Sequence, residues 1–351
     1  MKIHPAPRRI LLIRRDNIGD MVLTTPFIHA LRTRFSEAWI GVLGNSYNTP
    51  VLAGHPDIDE VFAYDKAKHR GDRGRLAVFA DTARLLLRLR ARQLDLVILA
   101  GPGAQRQAAR LARWIRPRAT LGFVEADVPA GLSHPLPYGG GAALHEAQDV
   151  FRLGAALGIG GEAGPCVLSH DAAQGDKVRA ALRAAGAGRR KVVAVHVSVR
   201  RVRQRWPAAR FAALINRLAA RGDVQCLLLW SPGPDDDPRH PGDDAKAQDI
   251  RELLPAGVAC LPWPTPDLAA LAGALAGADL MVCADGGAMH VAAGLGVPVV
   301  ALFGDSPVDR WRPWGVRHQV IRAPGGDVGE IDEGAVYDGC ARLLHAPDDA
   351  I

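Results

Sequence analysis

The sequence predicts an α/β protein made of two Rossmann-like halves. The chain has 351 residues, more than one hydrophobic core usually organises. Short apolar runs of strand length alternate with amphipathic helical stretches, the rhythm of a parallel sheet covered by helices. That rhythm starts afresh in the second half, after a glycine-rich segment. With 48% apolar and 23% charged residues, the composition is that of a chain folded from end to end.

In chain order, residues 10–13, 40–43, 61–62 and 96–99 read as buried strands, with helices over 25–35 and 81–92. A helix over 145–157 closes the first half, and the Gly-rich segment 158–164 leads into a linker near 160–178. The second half reads as strand 192–197, helix 208–221, strand 226–230, helix 267–276, strand 280–284, helix 289–295 and strand 299–303. The domains are therefore expected at 1–165 and 178–330. The tail 331–351 carries a helix over 334–344, expected to pack near the domain junction.

Charge and cysteines narrow the function. Lys and Arg number 43 against 37 Asp and Glu, a net +6 that suits anionic ligands without naming one. A basic surface with no function predicts the same composition. The five cysteines, Cys166, Cys226, Cys260, Cys283 and Cys340, show no CxxC spacing, so neither a zinc site nor a disulfide framework is expected, and a reducing cytoplasm fits. The N-terminal apolar run 10–13 is too short for a signal peptide or a span, which leaves peripheral membrane contact at most.

Three segments follow predicted strands, where open α/β sheets place their ligands. Arg14-Arg15-Asp16-Asn17-Ile18-Gly19-Asp20 leads into a helix through Thr24-Thr25-Pro26. Asp20 is placed there to act as a general base on an incoming hydroxyl; the competing reading is that Asp16 and Asp20 only cap the helix. Asp285-Gly286-Gly287-Ala288-Met289-His290 joins a strand to a helix, and its two glycines let the backbone N–H groups of the helix start meet a diphosphate. Asp285 and His290 reach the same ligand, although such a junction also serves tight strand-to-helix packing. Arg200-Arg201-Val202-Arg203-Gln204-Arg205-Trp206-Pro207 follows a strand with Ser198 at its exit; its arginines suit phosphate oxygens, and a solvated charge run is the alternative. No GxxxxGK[ST] loop or complete dinucleotide fingerprint is present, and no cofactor is implied. Asp235-Asp236-Asp237 formally contains DxD but sits in a Pro/Asp/Gly-rich turn, so no metal is expected there, although a carboxylate of this run suits a ribose.

Taken together, these segments resemble the ADP-heptose:lipopolysaccharide heptosyltransferases of glycosyltransferase family 9. The resemblance rests on Ile18-Gly19-Asp20 with Thr24-Thr25-Pro26, Leu121-Gly122-Phe123, His145-Glu146 and Leu157-Gly158-Ile159, Arg205-Trp206-Pro207, and 285–293 with Gly296-Val297-Pro298 and Leu302-Phe303-Gly304. It implies the GT-B architecture, two Rossmann-like domains facing across a cleft, and an inverting transfer without a metal. On that basis Asp20 is the base and Asn17, Gly19 and Thr24 meet the acceptor. The nucleotide-sugar, ADP-heptose favoured, is met by Ser198, Arg203, Arg205, Asp235, Asp285, Gly286, Gly287 and His290. The implied acceptor is a lipopolysaccharide core or another glycan; no nucleic-acid partner is implied. The implied location is cytoplasmic, with peripheral contact at the inner membrane. Two departures stand out: Gln204 where the family often has Lys, and Gly286 where it often has Ser or Thr. Arg203 or Arg205 is expected to supply the cation and backbone N–H groups the missing hydroxyl; failing that, the substrate or the rate differs from the family's. A nucleotide-sugar epimerase on the same architecture, or a nucleotide-sugar-binding protein without turnover, is the alternative function.

Overall fold

The computed structural model describes residues 3, 5–65, 75–103, 105–139, 144–188, 190–237 and 241–345. Two compact units divide the chain, Met1–Val167 and Leu168–Ile351. The first contains β1 (Arg9–Ile13), α1 (Ile18–Val22), α2 (Thr25–Arg34), β2 (Trp39–Asn45), β3 (Glu60–Tyr64), α3 (Arg75–Ala91), β4 (Leu96–Leu99), α4 (Arg106–Ile115), β5 (Ala119–Val124), β6 (His134–Pro137) and α5 (Glu146–Phe151). Its strands are all parallel, in the order β3-β2-β1-β4-β5-β6. β1 and β4 show no alternation because helices cover both faces: every residue of Ile10-Leu11-Leu12-Ile13 and of Leu96-Val97-Ile98-Leu99 is buried. On one face, Leu11, Ile13, Val97 and Leu99 pack with Ala108, Ala109, Ala112 and Ile115 of α4.

The second unit contains α6 (Ala172–Ala184), β7 (Lys191–His196), α7 (Ala208–Ala219), β8 (Val224–Trp230), α8 (Asp244–Leu253), β9 (Cys260–Pro264), α9 (Leu268–Leu275), β10 (Leu280–Ala284), α10 (Gly287–Gly294), β11 (Val299–Phe303), α11 (Val308–Trp311), β12 (His318–Arg322) and α12 (Glu333–His345). Its parallel strands run β12-β11-β10-β7-β8-β9. Counted within the unit, this is the order of the first sheet. Each sheet therefore reverses direction at one place, between β1 and β4 and between β7 and β10, and the loops leaving those strands flank a crevice at the carboxyl ends.

The structure departs from the sequence reading in one helix and four strands. Helix 145–157 is an α-helix only to Phe151; a 3₁₀ segment, Arg152–Leu157, completes it, and Gly158 ends it at φ 71°. Strands β5, β6, β9 and β12 carry too weak a pattern to be read from sequence. β6 (HPLP) and β9 (CLPWP) contain prolines, which they tolerate because both are edge strands with one backbone side unpaired. The last helix buries Val336, Gly339, Cys340 and Leu343 and packs on α7 and on β10, β11 and β12. Among the described residues, no helix is long and apolar enough to cross a membrane.

Candidate functional site

In the first unit the loop after β1 is organised by a fully buried guanidinium. Arg14 donates to the carbonyl of Ala100 at the exit of β4, so it spans the crevice between the two central strands. Its Nη2 lies 2.7 Å from Asp20 Oδ1 and 2.7 Å from Glu146 Oε1, and its Nε lies 3.0 Å from Asp16 Oδ2. Burial alone would lower the guanidinium pKa, but Asp20, Glu146 and Asp16 outweigh that and hold it above its ordinary value. Arg14 is thus permanently charged, and three carboxylates surround it. The loop backbone is pinned from the end of β2 and the turn after it: Asn45 Nδ2 donates to the carbonyl of Arg15 at 3.0 Å, and Asn48 Nδ2 to that of Arg14 at 3.2 Å.

Asp20 is buried within α1, and its other oxygen, Oδ2, accepts the backbone N–H of Asn17 at 3.0 Å. The capping role and the ion pair coexist. Each carboxylate oxygen has two lone pairs, so both retain room for a further donor, and the side chain keeps 9% of its surface exposed. This is a fixed acceptor with a narrow opening, the arrangement a positioned base needs. Asn17 is exposed beside it and Gly19 lies buried one residue before it. Thr24 is fully buried, and its hydroxyl donates to the carbonyl of Asp20 at 2.7 Å. It supports the turn under Asp20.

In the second unit the exits of β7, β8, β10 and β11 are laced together. Ser198 Oγ, just past β7, accepts the N–H of Ser231 past β8 at 2.8 Å. Lys246, on α8, donates to the carbonyl of Val197 at 3.0 Å, and Arg205 Nε to that of Val199 at 3.4 Å, so two cations bracket Ser198. The Lys246 pKa is lowered to about 8, chiefly by burial, with Asp243 pulling it up and Arg205 adding to the fall. His196, at the end of β7, is pushed down to about 4 by burial and then by Lys246, and stays neutral.

Gln204, 4% exposed, sends Nε2 to Asp285 Oδ2 at 3.1 Å and to Ser306 Oγ at 3.1 Å. It bridges the exits of β10 and β11 with a neutral donor. Gly286 is the N-cap of α10, in extended conformation at φ 170° and with no side-chain cap. A Cβ there would meet only the carbonyl of Ala284, at 4.0 Å, so the glycine opens space at the helix start rather than relieving strain. Gly287 begins α10, and His290, one turn in and 4% exposed, packs edge-on to Trp311 at 6.5 Å. Gly304 is there for close approach, since a Cβ would come within 2.6 Å of the carbonyl of Gly326. Arg203 is exposed, donating to the carbonyl of Gly325 at 3.1 Å.

The structure thus gathers Asn17, Gly19 and Asp20 in the first unit. In the second it gathers Ser198 and Arg205 with Asp285, Gly286, Gly287 and His290. Asp235 lies exposed on the loop after β8. The carboxylate ordered at that exit is Asp244, which accepts Trp230 Nε1 at 2.7 Å and the N–H of Gly233 at 2.9 Å. Sequence reasoning missed Arg14 as a hub, Glu146 as its partner, and Lys246. The Arg14–Glu146 pair spans 132 residues of chain, and Lys246 is one basic residue on an ordinary helix; neither leaves a local signal. Among the described residues no group of three His, Cys, Asp or Glu is arranged to hold a metal ion.

Residues 83–335 match glycosyltransferase family 9 (heptosyltransferase). Lipopolysaccharide heptosyltransferase 3 of Escherichia coli is 28% identical over 327 residues, which cover 89% of this chain and 88% of that protein. The family 9 glycosyltransferase of Veillonella parvula superposes with a TM-score of 0.82 at 21% identity, covering 96% of this chain and 97% of that one. E. coli heptosyltransferase WaaC, solved with ADP, gives 0.75 at 17% identity, over 95% and 99%.

Proposed function

Because this chain belongs to glycosyltransferase family 9, the heptosyltransferase family, we propose that it moves a heptose, or a related sugar, from an ADP-sugar to a lipopolysaccharide-core-type or other glycan acceptor, with inversion and without a metal. The observation that carries this reading is the pair of switch-point sites. One holds a buried carboxylate, Asp20, fixed by Arg14 and Asn17. The other holds an open helix start at Gly286 with Lys246 and Arg205 at the adjoining strand exit. The ADP bound by the WaaC structure supports the choice of base.

In the proposed step, Asp20 takes the proton of an acceptor hydroxyl as its oxygen bonds to the anomeric carbon. The bond from that carbon to the diphosphate oxygen breaks, and the departing charge is met by the first-turn N–H groups of α10 with Arg205 and Lys246. The fold of the first unit presents the acceptor, and that of the second holds the donor through Ser198, Arg203, Asp285, Gly287 and His290. The ribose lies at the exit of β8, near Asp235 and Asp244. The reaction takes place in the cytoplasm, with the enzyme in peripheral contact with the inner membrane.

Nucleotide-sugar titrations followed by mass spectrometry of products with lipopolysaccharide-core acceptors test the reading. Transfer should survive EDTA, and the product should carry the inverted anomeric linkage. Loss of activity in EDTA with recovery in Mg²⁺ would overturn the metal-free step, and an isomerised donor formed without acceptor would mark an epimerase.

A further inference from the structure

The first unit carries a basic, aromatic outer face that the transfer reaction does not use. Helices α3 and α4 pack on each other and on the same face of the sheet. Inward, Leu85, Leu86, Leu89, Ala108, Ala109 and Ile115 fill the core. Outward, α3 exposes Phe79 at 74% and Leu87 at 66%, and α4 exposes Trp114 at 67%. The two helices hold seven arginines and one aspartate, a net charge equal to the +6 of the entire chain. The remaining sequence sums to zero by formal charge; on the face itself Arg84 is paired with Asp81 and Arg88 with Glu60 of β3.

On α4 the exposed Arg106, Arg110 and Arg113 follow one another at helical spacing beside Trp114, and the helix has no acidic residue. Arg106 lies 3.6 Å from Asp127, while Arg110 and Arg113 have no ion pair among the described residues. Solvated arginines alone would explain the charge. They do not explain three large apolar side chains left about two-thirds in water or more on the same two helices, which water penalises.

We propose that the α3–α4 face docks on an anionic lipid bilayer surface. Arginines pair with lipid phosphates while their stems and the Trp114 indole lie at the headgroup level, and Phe79 and Leu87 reach the acyl boundary. Charge complementarity selects an anionic surface, and the exposed aliphatic Leu87 favours a bilayer over a nucleic acid, whose phosphates and bases offer such a side chain little. The inference rests on the transferase reading for its purpose, delivery of the enzyme to a lipid-linked acceptor, but not for its geometry.

Vesicle flotation of the full chain, with no sugar donor or acceptor present, tests it. The protein should float with phosphatidylcholine vesicles containing phosphatidylglycerol, remain behind with phosphatidylcholine alone, and release as salt rises. Arg110→Glu with Arg113→Glu should weaken binding by on the order of tenfold or more, and Trp114→Ser should weaken it at high salt, where only the apolar contact remains. Arg183→Glu, an exposed charge change on α6 of the second unit, should have little effect. Unchanged melting temperatures show that each variant is folded. Equal uptake by neutral vesicles, unchanged binding in the double variant, or capture of an RNA oligonucleotide in place of vesicles would overturn the proposal. Turnover on soluble substrates reports on the transferase reading separately: vesicle binding without turnover would sink that reading and leave this surface standing.

Discussion

Asp20 holds Arg14 with one carboxylate oxygen and the N–H of Asn17 with the other. Asp20→Asn keeps an acceptor for the cap and removes the basicity, so turnover should fall about 10²–10⁴-fold with donor affinity nearly intact. The sequence alone suggests a substitution neutral for stability; the structure does not, because Arg14 loses one of three carboxylates. A cost of about 1–3 kcal/mol is expected in urea melts. Asp16→Asn, at a site with 28% side-chain exposure, should be milder in both readings, and near-wild-type turnover in Asp20→Asn would leave the transfer without its base. Gly286 offers a second test. Its φ of 170° is open to any residue and its Cβ position is clear, so Gly286→Ser should shift stability by less than about 0.5 kcal/mol. If the diphosphate lies at this helix start, the new hydroxyl should tighten donor binding about tenfold by calorimetry; weaker binding would mean that the donor itself fills the space.

At the scale of elements, one guanidinium joins the loop after β1, the exit of β4 and the first turn of α5. Arg14→Met should therefore destabilise the chain by about 3–5 kcal/mol, since it leaves buried carboxylates without a counter-charge. Glu146→Gln keeps the guanidinium paired with Asp20 and Asp16, and a smaller loss is expected. Equal losses in chemical denaturation would show that Glu146 matters as much as Arg14 and would overturn the guanidinium as the organising group. Interior strands such as β1 and β11 were legible because burial on both faces demands an unbroken apolar run, as in 10–13 and 299–303; interior β5 was not, because Thr120 and Gly122 interrupt its apolar run. The edge strands β6, β9 and β12 were not, because an edge accepts proline and polar residues and keeps its place through the neighbour it pairs with.

For the whole molecule, buried titratable groups shape stability against pH. Folded His196 takes its proton only near pH 4, while the unfolded side chain does so near 6.5, so in that window the unfolded chain binds more protons. Stability is full above the upper value and should fall by about 3 kcal/mol as pH drops through the window. Lys246, lowered to about 8 from 10.5, gives the other limb: the folded chain loses this proton first, so stability rises with pH between those values. Urea melts across pH should show the acid slope flattened in His196→Gln and the alkaline rise lost in Lys246→Met; slopes unchanged in both variants would mean that neither group titrates as its burial requires. By itself the sequence determined the α/β class, the doubled Rossmann rhythm and the positions of Asp20, Ser198, Asp285 and Gly286 at strand exits. Those features are written locally, in apolar periodicity and in glycines and acids that follow a strand. Tertiary structure alone decided that Asp20 shares Arg14 with Glu146, that Gln204 links Asp285 to Ser306, and that Lys246 reaches the carbonyl of Val197. These contacts join residues far apart in the chain, and which side chains meet is set by strand order and helix packing, which no local pattern encodes.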